Sequence, residues 1–216
     1  MYVPKHFRED SWNEIRKVID QNSFATVVSC SAGVPVATHA PLRLVEPTPG
    51  KFALQGHFAR ANPHWRVLVN EQKALVIFAG PHSYVSPRWY RQLNVPTWNY
   101  VAVHVYGKPR LVSDPPELRE LMTGLVNRYE GHVEAERRYT VEGLPPDYLE
   151  SQMRGIVGFE ISVDEVQASF KLSQNRTQED HDNVIIELRK SDDQDAQRIA
   201  QAMSCPHARD GENKNG

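Results

Sequence analysis

The chain has 216 residues, 40% of them hydrophobic and 24% charged, which are the proportions of a globular protein and exclude a disordered or fibrous one. Its formal net charge of -2 provides no overall basic field for nucleic acid, so DNA binding would require a local basic patch. The two cysteines, Cys30 and Cys205, lie far apart and indicate reduced thiols in a cytoplasmic protein rather than a disulfide framework. No apolar run has the length of a signal peptide or a membrane span, so we expect no membrane partner.

The first part of the chain predicts one helix and three strands. The helix is expected from Ser11 to Asn22, where a serine N-cap precedes apolar residues at helical spacing. Two apolar, β-branched runs, FATVVSC at 24–30 and VPVATHAPLRLV at 34–45, flank a short turn and predict a hairpin. Pro41 in the second run indicates an edge strand or a bulge. A third strand is expected over 51–55.

The segment LQGHFARANPHW, residues 54–65, leaves this third strand and runs into a helix-like stretch at Pro63. A corner of this kind exposes backbone amides, and here it also carries an imidazole, a guanidinium and a side-chain amide, from His57, Arg60 and Asn62. Such groups suit a phosphate or another small anion. The alternative is structural: Arg60 forms an ion pair and Asn62 caps the following helix.

The middle of the chain combines regular elements with an unusual aromatic segment. A short helix is expected at 63–69 and a buried strand at 73–79, which Gly80 and Pro81 should end. The following segment, HSYVSPRWYRQLNVPTWNY, is dense in aromatic residues, prolines and hydroxyls, and it is typical of neither a solvated loop nor a regular strand. Alternation of apolar residues then returns and predicts a strand over 100–112.

The rest of the chain predicts four helices and one strand, with a charged connection that we expect to be exposed. One helix opens at the N-cap candidate Asp114, and another opens at the pair of prolines after Leu144. The expected ranges are 114–129 for the first helix, 131–144 for the connection, 145 onward for the short helix, 156–166 for the strand, and 177–190 and 192–203 for the last helices.

Strands that follow one another through short turns, without a helix after each, favour an antiparallel sheet over a doubly wound fold. The predicted fold class is therefore α+β with a β-barrel core. We expect a single domain over 1–204 that includes the C-terminal helices, and a disordered tail over 205–216.

Five stretches together resemble one protein family. MYVPKHF, GHFARANPHW, IFAGPHSYVSPRWY, VPTWNYVAVHVYG and KLSQNR are similar to the PaiB-type FMN-binding negative transcriptional regulators. That family is a branch of the split-barrel flavin-binding fold, which also includes pyridoxamine 5'-phosphate oxidase. The resemblance extends from Met1 to about Met203, and it implies an antiparallel split β-barrel with flanking helices, a homodimer, and FMN at the dimer interface.

The resemblance also implies twelve cofactor-binding residues in four stretches of the chain. The first three lie on a strand similar to the one beside the flavin ring, and the next three form the phosphate corner. The third group lines the ligand, and the last group lies near the flavin of the partner subunit. The twelve are Thr38, His39, Pro41, His57, Arg60, Asn62, His82, Ser83, Trp98, Lys171, Gln174 and Arg176.

Each of these groups has a structural alternative. His39 is equally well explained as an ordinary histidine of the core or the surface. The aromatic residues near His82 and Trp98 also suit the core of a dimer interface. The segment KLSQNR at 171–176 contains residue types that cap helices, so it could simply connect the last strand to a helix.

Three functions are considered. The first is an FMN-binding repressor of transcription, although the sequence contains no helix-turn-helix motif and its basic segments near 88–91 and 136–138 are small. The second is an FMN-dependent oxidoreductase for a small-molecule substrate, with His82 or Tyr84 as proton carriers. A haem-binding or haem-degrading protein on the same barrel is the third. The spacing of the histidines matches no metal motif, so we expect no metal site.

Overall fold

The structure, a computed structural model, describes residues 1–205, and the predicted tail, apart from Cys205, lies outside them. Within residues 1–205 the chain forms six α-helices. In chain order they are Trp12–Gln21 (α1), His64–Leu68 (α2), Pro115–Glu130 (α3), Pro146–Arg154 (α4), Gln178–Arg189 (α5) and Gln194–Met203 (α6). None of these described helices combines the length and the apolar character needed to cross a membrane.

The same residues contain nine strands in two antiparallel sheets. The strands are Phe24–Ser31 (β1), Val34–Pro41 (β2), Arg43–Thr48 (β3), Lys51–Ala59 (β4), Ala74–Val85 (β5), Thr97–Gly107 (β6), Pro109–Val112 (β7), Ile156–Ser162 (β8) and Glu165–Lys171 (β9). One sheet has the order β2-β1-β5-β6-β9 and the other the order β3-β4-β8-β7. The predicted α+β class with antiparallel sheets is confirmed.

The helices predicted from capping residues are confirmed close to their expected ends. The Asp114 carboxylate accepts a hydrogen bond from the N–H of Glu117 at 3.1 Å, and α3 begins at the next residue. Thr177 accepts from the N–H of Asp180 at 3.3 Å in the same way and precedes α5. These side chains satisfy N–H groups of the first turn that have no partner within the helix.

Three strand predictions are wrong for one reason, because each expected strand is two strands that lie in different sheets. The ranges 34–45, 100–112 and 156–166 divide at residues 42, 108 and 163–164. The backbone stays extended on both sides of each division, so side-chain alternation carries no sign that the hydrogen-bonding partner has changed. The edge position indicated by Pro41 is confirmed, since β2 is the outermost strand of its sheet.

The strand that was expected to end at Gly80 and Pro81 continues to Val85, so this prediction is also wrong. β1 pairs with β5 only at Leu75–Ile77, and Pro81, which has no N–H to donate, lies beyond that ladder. Gly80 is explained by close packing, because a Cβ at this position would lie 2.9 Å from the carbonyl oxygen of Val101. Both residues therefore have a place inside a strand.

The described chain divides into two compact units. The first unit contains residues 1–21, 79–103 and the described residues from 167 onward, including α1, α5 and α6. The second unit contains residues 22–78 and 104–166, including the whole β3-β4-β8-β7 sheet, α2, α3 and α4. In the second unit α3 buries a cluster of leucines against β7, and close contact with the sheet requires Gly158, whose Cβ would lie 2.6 Å from the side chain of Leu118.

A buried histidine of the second unit connects β1 and β2 to the turn before α2. His64 is 1% exposed, with Nε2 at 2.8 Å from the hydroxyl of Ser29 and Nδ1 at 2.8 Å from the hydroxyl of Thr38. Asn62 donates to the same Thr38 oxygen at 3.2 Å and accepts from the backbone N–H of His64 at 3.0 Å. Burial lowers the pKa of His64 and favours the neutral imidazole, which has one donor and one acceptor for these two hydroxyls.

We expect His64→Gln to weaken the fold and to flatten its pH dependence. The change leaves the hydroxyls of Ser29 and Thr38 without their buried partner, at about 1–3 kcal/mol for each group left unsatisfied. The histidine of the unfolded chain has a pKa near 6.5, above that of folded His64, so the unfolded state gains protons first as the pH falls. Stability from this group is therefore present above about pH 6.5 and lost below it.

Urea unfolding at pH 7.5 and pH 5.5 measures both effects. The variant should have a lower midpoint than the wild type at pH 7.5 and a smaller change between the two pH values. His132→Gln, at an exposed histidine, serves as the matched control and should keep the wild-type midpoints. Equal pH dependence in His64→Gln and the wild type would contradict this account of His64.

Candidate functional site

The corner between β4 and α2 is the candidate anion site of the second unit. β4 continues through His57 to Ala59, so the strand ends later than the sequence predicts. The N–H of Asn62 then donates to the carbonyl of Ala59 at 2.9 Å and closes the turn. The side chain of Asn62 accepts from the N–H of His64, the first residue of α2, at 3.0 Å, although the N-cap residue of that helix is Pro63.

Arg60 is anchored to the end of α4. Its backbone N–H donates to the carbonyl of Gly155 at 2.8 Å. In its side chain, Nε donates to the carbonyl of Arg154 at 2.6 Å and Nη2 to the carbonyl of Ile156 at 2.8 Å. Carbonyls at a helix C-terminus carry partial negative charge, so a guanidinium there is favourable. The side chain is exposed, and within residues 1–205 its Nη1 has no hydrogen-bond partner, which leaves one charged donor for a ligand.

His57 does not share a face of the sheet with the His64 network. Successive residues of a strand point to opposite faces, so His57 and Phe58 diverge, and it is Phe58 that stacks on the imidazole of His64 with ring centroids 5.2 Å apart. His57 pairs with Gly158, whose face of the sheet is covered by Leu118 of α3. Burial lowers the pKa of His57, and its Nδ1 is buried without a partner among the described residues.

The three predicted residues of β2 also separate by face. Thr38 joins the His64 network, whereas His39 is exposed on the opposite face, where its ring stacks on that of Phe24 with centroids 6.1 Å apart. Pro41 ends the strand in register with Phe24. In the second unit the structure therefore brings together Thr38 and Asn62, and it directs His57 and His39 elsewhere.

In the first unit an exposed aromatic face carries His82 and Trp98. The ring of Trp98, 52% exposed, lies with its centroid 6.2 Å from His82 and 6.0 Å from Tyr84, and Tyr84 is itself 44% exposed. Nδ1 of His82 is 3.6 Å from a carboxylate oxygen of Asp195 on α6. Ser83, between the two exposed residues of β5, is buried and donates to the carbonyl of Tyr84 at 3.4 Å. Ser83 therefore faces away from this surface.

The turn after β9 contains Lys171, Gln174 and Arg176. Lys171 donates to the hydroxyl of Thr97 at 2.5 Å, and burial together with the nearby charge of Arg176 lowers the pKa of Lys171. The guanidinium of Arg176 lies 5.0 Å from the ring centroid of Tyr90. Gln174 is used inside the turn, where it accepts from the N–H of Leu172 and donates to the carbonyl of Phe170. Lys171 and Arg176 are therefore partly accessible to a ligand, whereas the side chain of Gln174 is already hydrogen-bonded within the turn.

Two residues that organise these segments, His64 and Asn99, are absent from the set implied by the sequence. His64 is one of nine histidines, and no residue near it in the sequence distinguishes it from the others. Asn99 had a usable signal, because the buried positions Val101, Val103 and Val105 continue backward by two residues to an asparagine. A polar residue at an inward position of a strand needs a buried partner.

Comparisons with known proteins identify the family of the chain. A family model described as "Putative FMN-binding domain" matches residues 1–165. The Bacillus subtilis (strain 168) protein named "Protease synthase and sporulation protein PAI 2" is 42% identical over 203 residues, which cover 94% of this chain and 96% of that protein.

Two solved structures share the fold. The FAD and heme binding protein from Mycobacterium smegmatis matches with a TM-score of 0.59 and 18% identity, over 76% of this chain and 73% of that one. The flavocytochrome Anf3 from Azotobacter vinelandii matches with a TM-score of 0.60 and 16% identity, over 84% of this chain and 78% of that one. These matches concern the fold alone and confirm the split barrel. With the family model and the 42% identical relative, they lead to one conclusion: the chain belongs to the PaiB-type family of FMN-binding split-barrel proteins.

Proposed function

We propose that this FMN-binding protein acts in the cytoplasm as a homodimeric negative regulator of transcription. FMN, when bound, supplies reversible redox chemistry that could serve as a signal. The proposal is carried by the 42% identical Bacillus subtilis relative, whose name refers to protease synthesis and sporulation and so favours a role in control over a role in metabolism. The twelve residues implied by the sequence are retained as candidates for cofactor contact, with unequal support from their surroundings.

The groups of the chain fit the chemistry of FMN. A phosphate needs a positioned cation, and Arg60 is held through Nε and Nη2 while Nη1 stays available. Thr38 and Asn62 are fixed by His64 and add short polar groups in the same unit. In the first unit the exposed ring of Trp98 offers a flat surface of the kind on which a flavin ring packs.

We expect Arg60→Ala to weaken FMN binding by about 10- to 100-fold, the worth of a charge-assisted hydrogen bond of about 1.5–3 kcal/mol. The free energy of unfolding without FMN should also fall, because Arg60 donates to two carbonyls beside the end of α4. Quenching of FMN fluorescence gives the affinity, and urea unfolding of the FMN-free protein gives the second effect.

Arg66→Ala is the matched control for Arg60→Ala. Arg66 is an exposed cation of α2, six residues after Arg60 in the chain, and its guanidinium lies 4.4 Å from the ring centroid of Trp65. It should keep the wild-type affinity for FMN. An Arg60→Ala protein with unchanged FMN affinity would show that the phosphate is held by other groups.

Direct repression would need basic side chains that are free to contact DNA. The candidates near 88–91 and 136–138 are partly occupied, since Arg91 pairs with Glu179 at 2.5 Å and Arg138 donates to the carbonyls of Gly131 and Val133. The net charge of -2 adds no long-range attraction. A regulator built in this way would make few phosphate contacts, so its DNA binding would be weak and would depend only modestly on salt.

We expect the FMN-loaded protein to bind DNA from the region upstream of its own gene at 50 mM salt and to bind it about 10- to 40-fold more weakly at 200 mM, as for two or three phosphate contacts. With few contacts, the slope of log K against log[salt] should be about -0.9 for each phosphate neutralised. Fluorescence anisotropy measures the binding, and the same preparation is tested for FMN reduction by NAD(P)H. Reduction by NAD(P)H without DNA binding at low salt would instead favour an FMN-dependent oxidoreductase.

A homodimer is supported by exposed apolar side chains of the first unit. Leu93 and Val95 are 104% and 67% exposed, and Trp98 follows them in the chain. The start of their loop is not loose, because the N–H of Arg91 donates to the buried carboxylate of Asp180 at 2.9 Å. A fixed loop that presents apolar side chains to water is typical of an interface.

We expect the wild type to sediment as a dimer at micromolar concentration and Leu93→Asp to sediment as a monomer. A carboxylate in the apolar centre of an interface would lose its hydration, which weakens association by several kcal/mol. Tyr139→Asp, at another exposed apolar side chain, should stay dimeric. A monomeric wild type would contradict the proposal, as would a Leu93→Asp dimer of unchanged stability.

A further inference from the structure

A buried asparagine of the first unit holds the turn that carries Lys171 and Arg176. Asn99 is fully buried on β6, and its Nδ2 donates to the hydroxyl of Ser173 at 2.9 Å while the same hydroxyl donates to its Oδ1 at 3.2 Å. Ser173 is 4% exposed and has a φ of 63°, a left-handed conformation that a residue other than glycine adopts only when its surroundings impose it. The reciprocal pair fixes the chain at this point.

The turn is closed by its own hydrogen bonds as well. The side chain of Gln174 bridges Leu172 and Phe170, and the N–H of Arg176 donates to the carbonyl of Ser173 at 3.0 Å. The backbone that carries Lys171 and Arg176 is thus fixed before any ligand arrives. Preorganised charges of this kind bind an anion at a smaller entropic cost than flexible ones.

The two cations have no opposite charge beside them. Among residues 1–205, neither Lys171 nor Arg176 forms an ion pair with a carboxylate. Their like charges are close enough for Arg176 to disfavour protonation of Lys171. Two neighbouring cations without a carboxylate form a local positive centre in a protein whose net charge is -2.

An unsatisfied hydroxyl lies beside this centre. Tyr90 is 8% exposed, Arg176 packs against its ring, and within the described residues its hydroxyl is buried without a hydrogen-bond partner. The backbone is well fixed here, since the N–H of Tyr90 donates to Pro87 and that of the next residue, Arg91, to Asp180. A buried donor without a partner is unfavourable, so it points to a group that the isolated chain lacks.

We propose that Lys171, Arg176 and the hydroxyl of Tyr90 form an oxyanion site, and that Asn99 and Ser173 position its two cations. The site takes a phosphate-type group, to which the tyrosine donates a hydrogen bond while the cations balance the charge. The group belongs either to FMN itself or to a second oxyanion that binds beside it. This inference goes beyond the regulatory role, and only the arm that uses FMN rests on the proposed cofactor site.

Tyr90→Phe is the decisive variant, because it removes only the unpartnered hydroxyl. If the tyrosine were merely structural, the change would leave oxyanion binding unaltered and would not weaken the fold. We expect unchanged or higher stability with a loss of about 10-fold in oxyanion affinity, the worth of one hydrogen bond to a charged group. Arg176→Ala should lose at least as much, and Arg189→Ala, an exposed cation of α5, should lose nothing.

Two titrations distinguish the sources of the oxyanion. In the first, FMN and riboflavin, which lacks the phosphate, are titrated into the protein. If the phosphate of FMN occupies the site, Tyr90→Phe lowers the affinity for FMN and leaves the affinity for riboflavin unchanged. In the second, inorganic phosphate is titrated calorimetrically into the FMN-loaded protein, with potassium chloride of equal ionic strength as the control. Phosphate binding that Tyr90→Phe weakens about 10-fold assigns the site to a second oxyanion.

The positioning role of Asn99 and Ser173 is tested in whichever of the two titrations shows an effect of Tyr90→Phe. Asn99→Ala should weaken oxyanion binding in the wild-type background and should weaken it less when Arg176→Ala is already present, because only Lys171 is then left to be positioned. Ser173→Gly removes the hydroxyl but tolerates the left-handed φ, so it provides a folded alternative if Asn99→Ala does not fold. Wild-type affinities in Tyr90→Phe and Arg176→Ala, for both FMN preference and phosphate, would overturn the site. A wild type that binds phosphate but no FMN would overturn the cofactor proposal alone.

Discussion

A polar side chain that folding removes from water must find a partner inside the protein, and each unit of this chain depends on one such case. In the second unit the neutral imidazole of His64 is bonded at both ring nitrogens, which fixes Thr38 and, through it, Asn62. In the first unit Asn99 fixes Ser173 and so the turn that follows β9. The groups suited to a ligand are therefore positioned by residues that water and ligand do not reach.

The parts of the fold that the sequence predicts well depend on neighbouring residues. Asp114 and Thr177 start their helices because the cap and the N–H that it satisfies are only three residues apart. Membership of a sheet depends on residues far away in the chain. The sequence correctly predicts extended chain over 34–45, 100–112 and 156–166. The change of sheet within each range depends on strands that are distant in the chain.

The same distinction applies to the candidate site. A motif identifies residues that lie together in sequence, but in a strand consecutive residues face opposite sides, so His57 and Phe58 belong to different surroundings. Gln174 has donor and acceptor groups suited to a ligand, but both form hydrogen bonds within its own turn. Asn99 shows that the sequence can predict which side chains of a strand point inward, because its inward position follows from the buried valines after it.

The charges of the chain also separate structural from ligand-binding cations. Arg110 is bonded to Glu160 at 2.9 Å and to Glu117 at 2.6 Å, and such a guanidinium has little attraction left for an incoming anion.

Lys171 and Arg176 differ, because their like charges lie near one another and burial removes part of the water that would screen them. An anion that binds there relieves the repulsion as well as forming new hydrogen bonds. It therefore gains more than it would at an isolated surface lysine, whose ion pairs contribute little. Local charge of this kind retains a small ligand without any extended basic surface. For a mildly acidic protein, a regulatory signal carried by a bound ligand is consequently easier to explain physically than a broad electrostatic grip on DNA.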